Sequence, residues 1–150
     1  MRANDKIGIP LFNQGENMVD ITCVENVAYA CYLAMVSDNV DGEIFNITNG
    51  EPAKFRELLS YFCNAADKQP HFCSLPFPLV YGLACILEWI YKTFHINSEP
   101  ILTKYTVCTL AFSQKLNIEK AQEKLNYKPK KTLKEGIDAY GKWWKEKSIH

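Results

Sequence analysis

The stretch VDITCVENVAYACYLAMVSDNVDGEIFNITNGEP, Val19 to Pro52, decides how this chain is read. It has the form of one crossover unit. A short extended piece ending near Ile21 leads into a helix from about Val24 to Val36, because Val24, Val27, Ala28, Cys31, Ala34 and Met35 fall on one face at helical spacing. A polar turn, Ser37 to Gly42, leads to a strand, Glu43 to Thr48, and Asn49-Gly50 makes the next turn. The strand rests on Ile44, Phe45 and Ile47, a β-prone run bounded by turn residues. Apolar side chains on both faces of a strand point to burial between helix layers in a parallel sheet. Such a strand needs a neighbour, and no nearby segment offers an obvious one.

Outward from this unit, the bulk properties narrow the possibilities. A chain of 150 residues is long enough for one domain with a real core. Its 17 basic residues balance 17 acidic ones, and the pI is about 6.8. That argues against a nucleic-acid partner, since no basic excess is available to neutralise phosphates. Lys115 to Lys147 is rich in lysine, but interleaved acids make it a solvated helical face. The six cysteines, Cys23, Cys31, Cys63, Cys73, Cys85 and Cys108, include no Cys-x-x-Cys pair. Reduced core thiols in a cytoplasmic protein, with no metal site, are the favoured reading. The opening MRANDKIGIP lacks the apolar core of a signal peptide.

Along the chain, residues 1 to 18 read as an entry segment, with apolar Pro10-Leu11-Phe12 followed by a turn. Pro52 to Ala66 is predicted helical, with Pro52 in its first turn and Phe55, Leu58, Leu59 and Phe62 as the buried stripe. His71 to Leu75 is a short strand candidate, and His71 reads as exposed rather than as an acid/base group. Leu102 to Phe112 is a helical run. Asn117 caps a helix over Ile118 to Leu125, with Ala121 and Leu125 one turn apart. Thr132, with Glu135 three residues on, forms a capping box that opens a last helix. That helix turns Leu133, Ile137, Tyr140 and Trp144 inward.

Four segments in order, VDITCVENVAYA, GEIFNITNGEP, LTKYTV and NIEKAQEKLNYKPKKTLKEGI, resemble the C-terminal half of extended short-chain dehydrogenases/reductases. The branch they resemble is that of 3β-hydroxysteroid dehydrogenases and NAD-dependent epimerases/dehydratases. The resemblance covers roughly residues 6 to 145. It implies an α/β fold: the C-terminal portion of an extended Rossmann-type dehydrogenase, with the last parallel strand and the smaller, helix-rich substrate domain. Residues 1–52 would end the sheet region, and residues 53–150 would form the substrate-binding region. It also implies NAD or NADP in the complete enzyme, and an apolar or sugar-nucleotide small molecule as substrate. In that architecture a tyrosine exchanges the proton while hydride moves to or from the cofactor.

Two parts of that machinery do not appear. The family holds its dinucleotide with a glycine-rich turn at a helix N-terminus. The seven glycines here, Gly8, Gly15, Gly42, Gly50, Gly82, Gly136 and Gly141, include no Gly-x-Gly. The family's Tyr-x-x-x-Lys has one textual match, Tyr127 to Lys131, and Pro129 interrupts it. A turn that closes a helix is the better reading of that segment. No catalytic, cofactor-binding or metal-ligating residue is therefore expected in this chain, nor a dinucleotide on the chain alone.

Leu75 to Phe94 is the most apolar region, too short and interrupted for a membrane span. Three readings compete: a core helix of the substrate domain, a helix lining a pocket for an apolar substrate such as a sterol, and an interfacial membrane helix. They are ranked in that order, with membrane contact last. The positions taken as pocket-lining are Pro76, Tyr81, Leu102 and Tyr105. Two functions of different class remain. One is the substrate-binding part of an NAD(P)-dependent oxidoreductase, its partner a missing N-terminal half or a second copy. The other is a non-catalytic module, derived from such an enzyme, that holds a ligand or a partner.

Overall fold

A computed structural model of the chain describes residues 8–147, so what was read from residues 1–7 lies outside it. Four short strands and six α-helices follow one another among the described residues, with a 3-10 turn at Asn13–Gly15. They are β1 (Ile9–Leu11), β2 (Met18–Val19), α1 (Val24–Val36), β3 (Ala53–Lys54), α2 (Phe55–Ala65), β4 (Phe72–Ser74), α3 (Phe77–Thr93), α4 (Lys104–Ala111), α5 (Glu119–Leu125) and α6 (Leu133–Lys147). The strands make two separate pairs. β1 runs parallel to β4, with Leu11 opposite Ser74, and β2 runs antiparallel to β3, with Met18 opposite Lys54. After α4, Gln114 adds a single parallel bridge to Val19.

Three apolar clusters hold these pieces. Ala30 of α1 meets Ala121, Leu125 and Tyr127 from α5 and the turn after it, with Phe45 and Ile47 packed against them. Ala84 of α3 and Val107 of α4 close on Phe12. Leu58 of α2 packs against Leu133 and Ile137 of α6. α2 and α6 cross so closely that a Cβ on Gly141 would lie 2.6 Å from the Ala65 carbonyl oxygen. Only glycine leaves room for that crossing.

Local signals are realised as read. α1 spans Val24–Val36. The capping box is reciprocal: the Thr132 N–H donates to Glu135 Oε2 at 2.8 Å, and the Glu135 N–H donates to Thr132 Oγ1 at 3.2 Å. The hydrogen bond from the Thr132 N–H holds the Glu135 carboxyl below the usual carboxylate range. Asn117 Oδ1 accepts the Glu119 N–H at 2.7 Å at the start of α5.

Three details differ from the sequence reading. α2 begins at Phe55 rather than Pro52, because Ala53 and Lys54 are taken into a pair with β2. Residues 43–49 belong to no strand, since a strand exists only as the hydrogen-bonded neighbour of another, and no described segment pairs with them. The apolar stripe of α1 faces outward. Asn26 and Ala30 are its buried residues, whereas Val24 and Met35 are 75% and 84% exposed.

Candidate functional site: an unpaired edge beside an apolar helix face

The segment 43–49 is held in place by side chains that reach its carbonyls. Lys120 Nζ donates to the Ile44 carbonyl at 2.9 Å, Thr22 Oγ1 to that of Ile47 at 3.2 Å, and Tyr127 OH to that of Thr48 at 3.0 Å. Glu43 pairs with both Lys120 and Lys124. The hydrogen bond from Lys120, then that from Lys124, lowers the Glu43 carboxyl to a pKa of about 2. Among the described residues, the N–H groups of Ile44 to Thr48 make no backbone–backbone hydrogen bond. Phe45 and Ile47 turn into the α1–α5 cluster, while Ile44 is 83% exposed. The segment is therefore anchored along one side and unpaired along its ladder, as the edge of an unfinished sheet would be.

The adjoining α1 presents its apolar face in the same unpartnered way. Val27 and Met35 are exposed, as are Ala28, Cys31 and Ala34, and the only charge on the helix, Glu25, stands to one side of that stripe. Its other side is fixed by a polar rivet. Asn26, fully buried, accepts the N–H groups of Lys130 and Lys131 at 2.8 and 3.0 Å, and donates to Lys131 O and Asn49 Oδ1, both at 2.8 Å. Asn49 Oδ1 also accepts the Cys23 N–H at 2.9 Å, at the start of α1. This network ties α1, the Asn49 turn and the entry to α6 into one unit. Sequence reasoning missed Asn26. Its signal was a polar residue on the side of α1 away from the apolar stripe, which reads as solvent-facing.

The four positions taken as pocket-lining divide into two pairs. Tyr81 and Leu102 come together in the α3–α4 cluster with Leu75, Phe77 and Leu110. Pro76 is exposed at the start of α3, and Tyr105 on α4 is 79% exposed. The aromatic wall around Tyr81 was not foreseen. Phe77 stacks on Tyr81 at 5.4 Å and meets Phe12 and Phe112 edge-on at 6.2 and 5.4 Å. Phe12 arrives through the β1–β4 pairing, which continues in a Leu75 N–H to Leu11 carbonyl bond of 2.8 Å. A pairing over such sequence separation leaves no local trace.

No glycine fingerprint precedes any helix. Tyr127 is fully buried and donates its hydroxyl to the Thr48 carbonyl, so it is not presented to a substrate. Burial, then the nearby Cys23, pushes its pKa up. All six cysteines are free, and among the described residues no three His, Cys, Asp or Glu side chains are grouped to hold a metal. Among those residues, no helix is long and apolar enough to cross a membrane.

This helix-rich arrangement, with one parallel and one antiparallel pair of short strands, is that of the C-terminal portion of a Rossmann-type epimerase/dehydratase. The solved structure of gox2253 superposes on 97% of this chain and 41% of its own, with TM-score 0.67 and 22% identity. UDP-glucuronic acid 4-epimerase from Bacillus cereus, in complex with NAD, superposes on 97% of this chain and 35% of its own, with TM-score 0.60 and 17% identity. No family model matches the chain. Its homologues by sequence are 3β-hydroxysteroid and sterol-4α-carboxylate dehydrogenases of the extended short-chain dehydrogenase/reductase type. The sterol-4-alpha-carboxylate 3-dehydrogenase erg26, decarboxylating, of Schizosaccharomyces pombe is 32% identical over 97% of this chain and 44% of its own length. The uncharacterized protein YbjS of Escherichia coli is 33% identical over 88% of this chain and 40% of its own. The chain spans less than half the length of these curated relatives.

Proposed function

We propose that this chain is the substrate-side part of an NAD(P)-dependent oxidoreductase, which works when joined to a nucleotide-binding Rossmann unit, in the same chain or on another. The observation that carries the reading is the anchored segment 43–49 with its ladder unpaired beside the outward apolar face of α1. A parallel strand laid against Ile44 to Ile47 would take up the open N–H groups, and a layer over Val24, Val27, Cys31 and Met35 would bury the stripe. That unit would bring the dinucleotide cradle and the proton-transferring tyrosine and lysine. This chain would supply the wall against which the rest of the substrate is oriented. Tyr81 and Leu102, with the aromatic group around Phe77, would form its apolar part, and Pro76 and Tyr105 its outer rim. Sterol-type and sugar-nucleotide substrates are both in view, since relatives and structural neighbours act on or bind each of these. The apolar, aromatic lining supports the sterol-type class.

The test is complementation. A Rossmann unit with an intact glycine fingerprint and Tyr-x-x-x-Lys, matched to the sterol-dehydrogenase branch, is co-expressed with this chain, and NAD(P)H-linked turnover is followed on sterol and UDP-sugar substrates. Activity is expected with the wild-type chain, lost with Ile44→Lys and retained with Lys134→Glu on the exposed side of α6. If the chain alone is a cooperatively folding monomer with amides 44–47 protected from exchange, the edge has a partner within these residues and the proposal fails. Ligand binding without any such partner would instead favour a non-catalytic module.

A further inference from the structure

α6 lies against the start of α1 because glycine stands at position 136. A Cβ there would overlap Cys23 Sγ, so any other residue would hold the two helices apart. Beside that close approach a cleft of about 400 Å³ opens between the start of α1, α2 and α6. Its size falls within the range of small-molecule sites. None of the α3–α4 residues assigned above to the substrate wall lines it, and Val24 is the one residue it shares with the α1 stripe assigned to the Rossmann unit. Three aromatic side chains line it: Phe62, Tyr140 and Trp143. Tyr140 stands between the other two, edge-on to Phe62 at 5.3 Å and tilted against Trp143 at 5.7 Å. Packing accounts for Phe62 and Tyr140, which are half-buried, and leaves Trp143 49% exposed. The Trp143 ring already takes an ammonium, since Lys147 Nζ stands over it at 5.0 Å.

Two other polar side chains of the cleft are engaged. Thr22 Oγ1 donates to the Ile47 carbonyl at 3.2 Å. Cys23 Sγ donates to the Thr132 carbonyl at 3.5 Å and accepts from Asn49 Nδ2 at 3.1 Å. Glu25 differs. It is the only charged residue along the wall, and among the described residues its carboxylate makes neither an ion pair nor a hydrogen bond. A carboxylate in the first turn of a helix is favoured by the helix dipole wherever its side chain points, so that preference leaves its direction free.

We propose that this cleft binds a small organic cation, an ammonium carried on an apolar body. The charge sits between the Glu25 carboxylate and the ring of Trp143, and the apolar body lies over Leu133 and Ile137, which are buried at its base. An ammonium is attracted both to a carboxylate and to the face of an aromatic ring, and here the two border one cleft. An anion would be repelled by Glu25. A neutral molecule would cover that carboxylate and leave it without a partner, which costs free energy.

The test is calorimetric titration of the full chain with benzyltrimethylammonium, followed in parallel by tryptophan fluorescence. Saturable binding is expected for the wild-type chain. Binding at least tenfold weaker is expected for Glu25→Gln and for Trp143→Leu, with melting temperatures close to wild type because both side chains are exposed. Leu83→Ser, at an exposed position of α3 outside the cleft, is expected to bind like wild type. Benzenesulfonate, an aromatic ion of opposite sign, is expected to show no saturable binding. Four results would overturn the proposal: no saturable binding of benzyltrimethylammonium by the wild-type chain, undiminished binding by Glu25→Gln, equal binding of benzenesulfonate, or equal loss in Leu83→Ser and Trp143→Leu. The last would place the cation on apolar surface in general rather than in this cleft.

Discussion

Replacing Asn26 by alanine tests the rivet on which the site depends. The side chain is fully buried and makes four hydrogen bonds, to the N–H groups of Lys130 and Lys131, to Lys131 O and to Asn49 Oδ1. A protein hydrogen bond contributes about 1 kcal/mol net, so the four together are worth about 4 kcal/mol. Lys130 and Lys131 are exposed residues, so water can reach part of what is left open, and Asn49 Oδ1 keeps the Cys23 N–H. A loss of about 3 kcal/mol is expected, a large fraction of the 5–15 kcal/mol typical of a domain. Tyr127→Phe removes a single bond, to the Thr48 carbonyl, and is expected to cost about 1 kcal/mol. The ratio of the two losses in urea denaturation is the reading. Exchange of the Cys23, Lys130 and Lys131 amides should also quicken in Asn26→Ala. Asn26→Asp keeps the two accepted bonds but sets a buried carboxylate oxygen against Lys131 O and Asn49 Oδ1, so it should cost at least as much as Asn26→Ala. A loss below about 1 kcal/mol for Asn26→Ala would refute the reasoning, because the network would then be doing no more than one ordinary hydrogen bond.

Four further outcomes are expected. Gly141→Ala should destabilise the chain by about 2 kcal/mol or more in thermal unfolding, since its Cβ would press on the backbone of Ala65, which cannot rotate away. Thr132→Ala should cost about 1 kcal/mol by removing the cap of α6, and Glu135→Gln should cost less than that. The stability that Glu43 contributes is present above its ordinary carboxylate value of 4.5 and is lost as pH falls toward about 2, where the folded-state group takes up its proton. The difference in melting temperature between wild type and Glu43→Gln should therefore be flat from neutral pH down to about pH 5 and vanish near pH 2. Calorimetric titration of the chain by itself with NAD and with NADP should give no micromolar binding to either, and a micromolar site for one of them would overturn the expectation drawn from the missing Gly-x-Gly.

The residues themselves determined what is settled within a turn or two of chain. The bounds of α1, the Asn117 and Thr132 caps, the Ala121–Leu125 face of α5 and the β-prone run at Ile44 to Ile47 all follow from spacing, capping and turn chemistry, which involve neighbours in sequence. The kinship with extended dehydrogenases was legible for the same reason, in four local segments in order. Tertiary structure decided which faces are covered, because burial depends on what lies across a contact. The stripe from Val24 to Met35 announced a covered face of α1. The buried face instead belongs to Asn26, whose partners at Lys130 and Lys131 are 104 and 105 residues away. Pro52 lost its place in α2 to a strand pair with Met18 and Val19, and Phe12 met Phe77 through a parallel pairing of β1 with β4. The run at Ile44 to Ile47 shows the division most directly. Its β-preference is local and was read from sequence, whereas a strand needs a second strand, and that hydrogen-bonding partner is settled by three-dimensional packing alone.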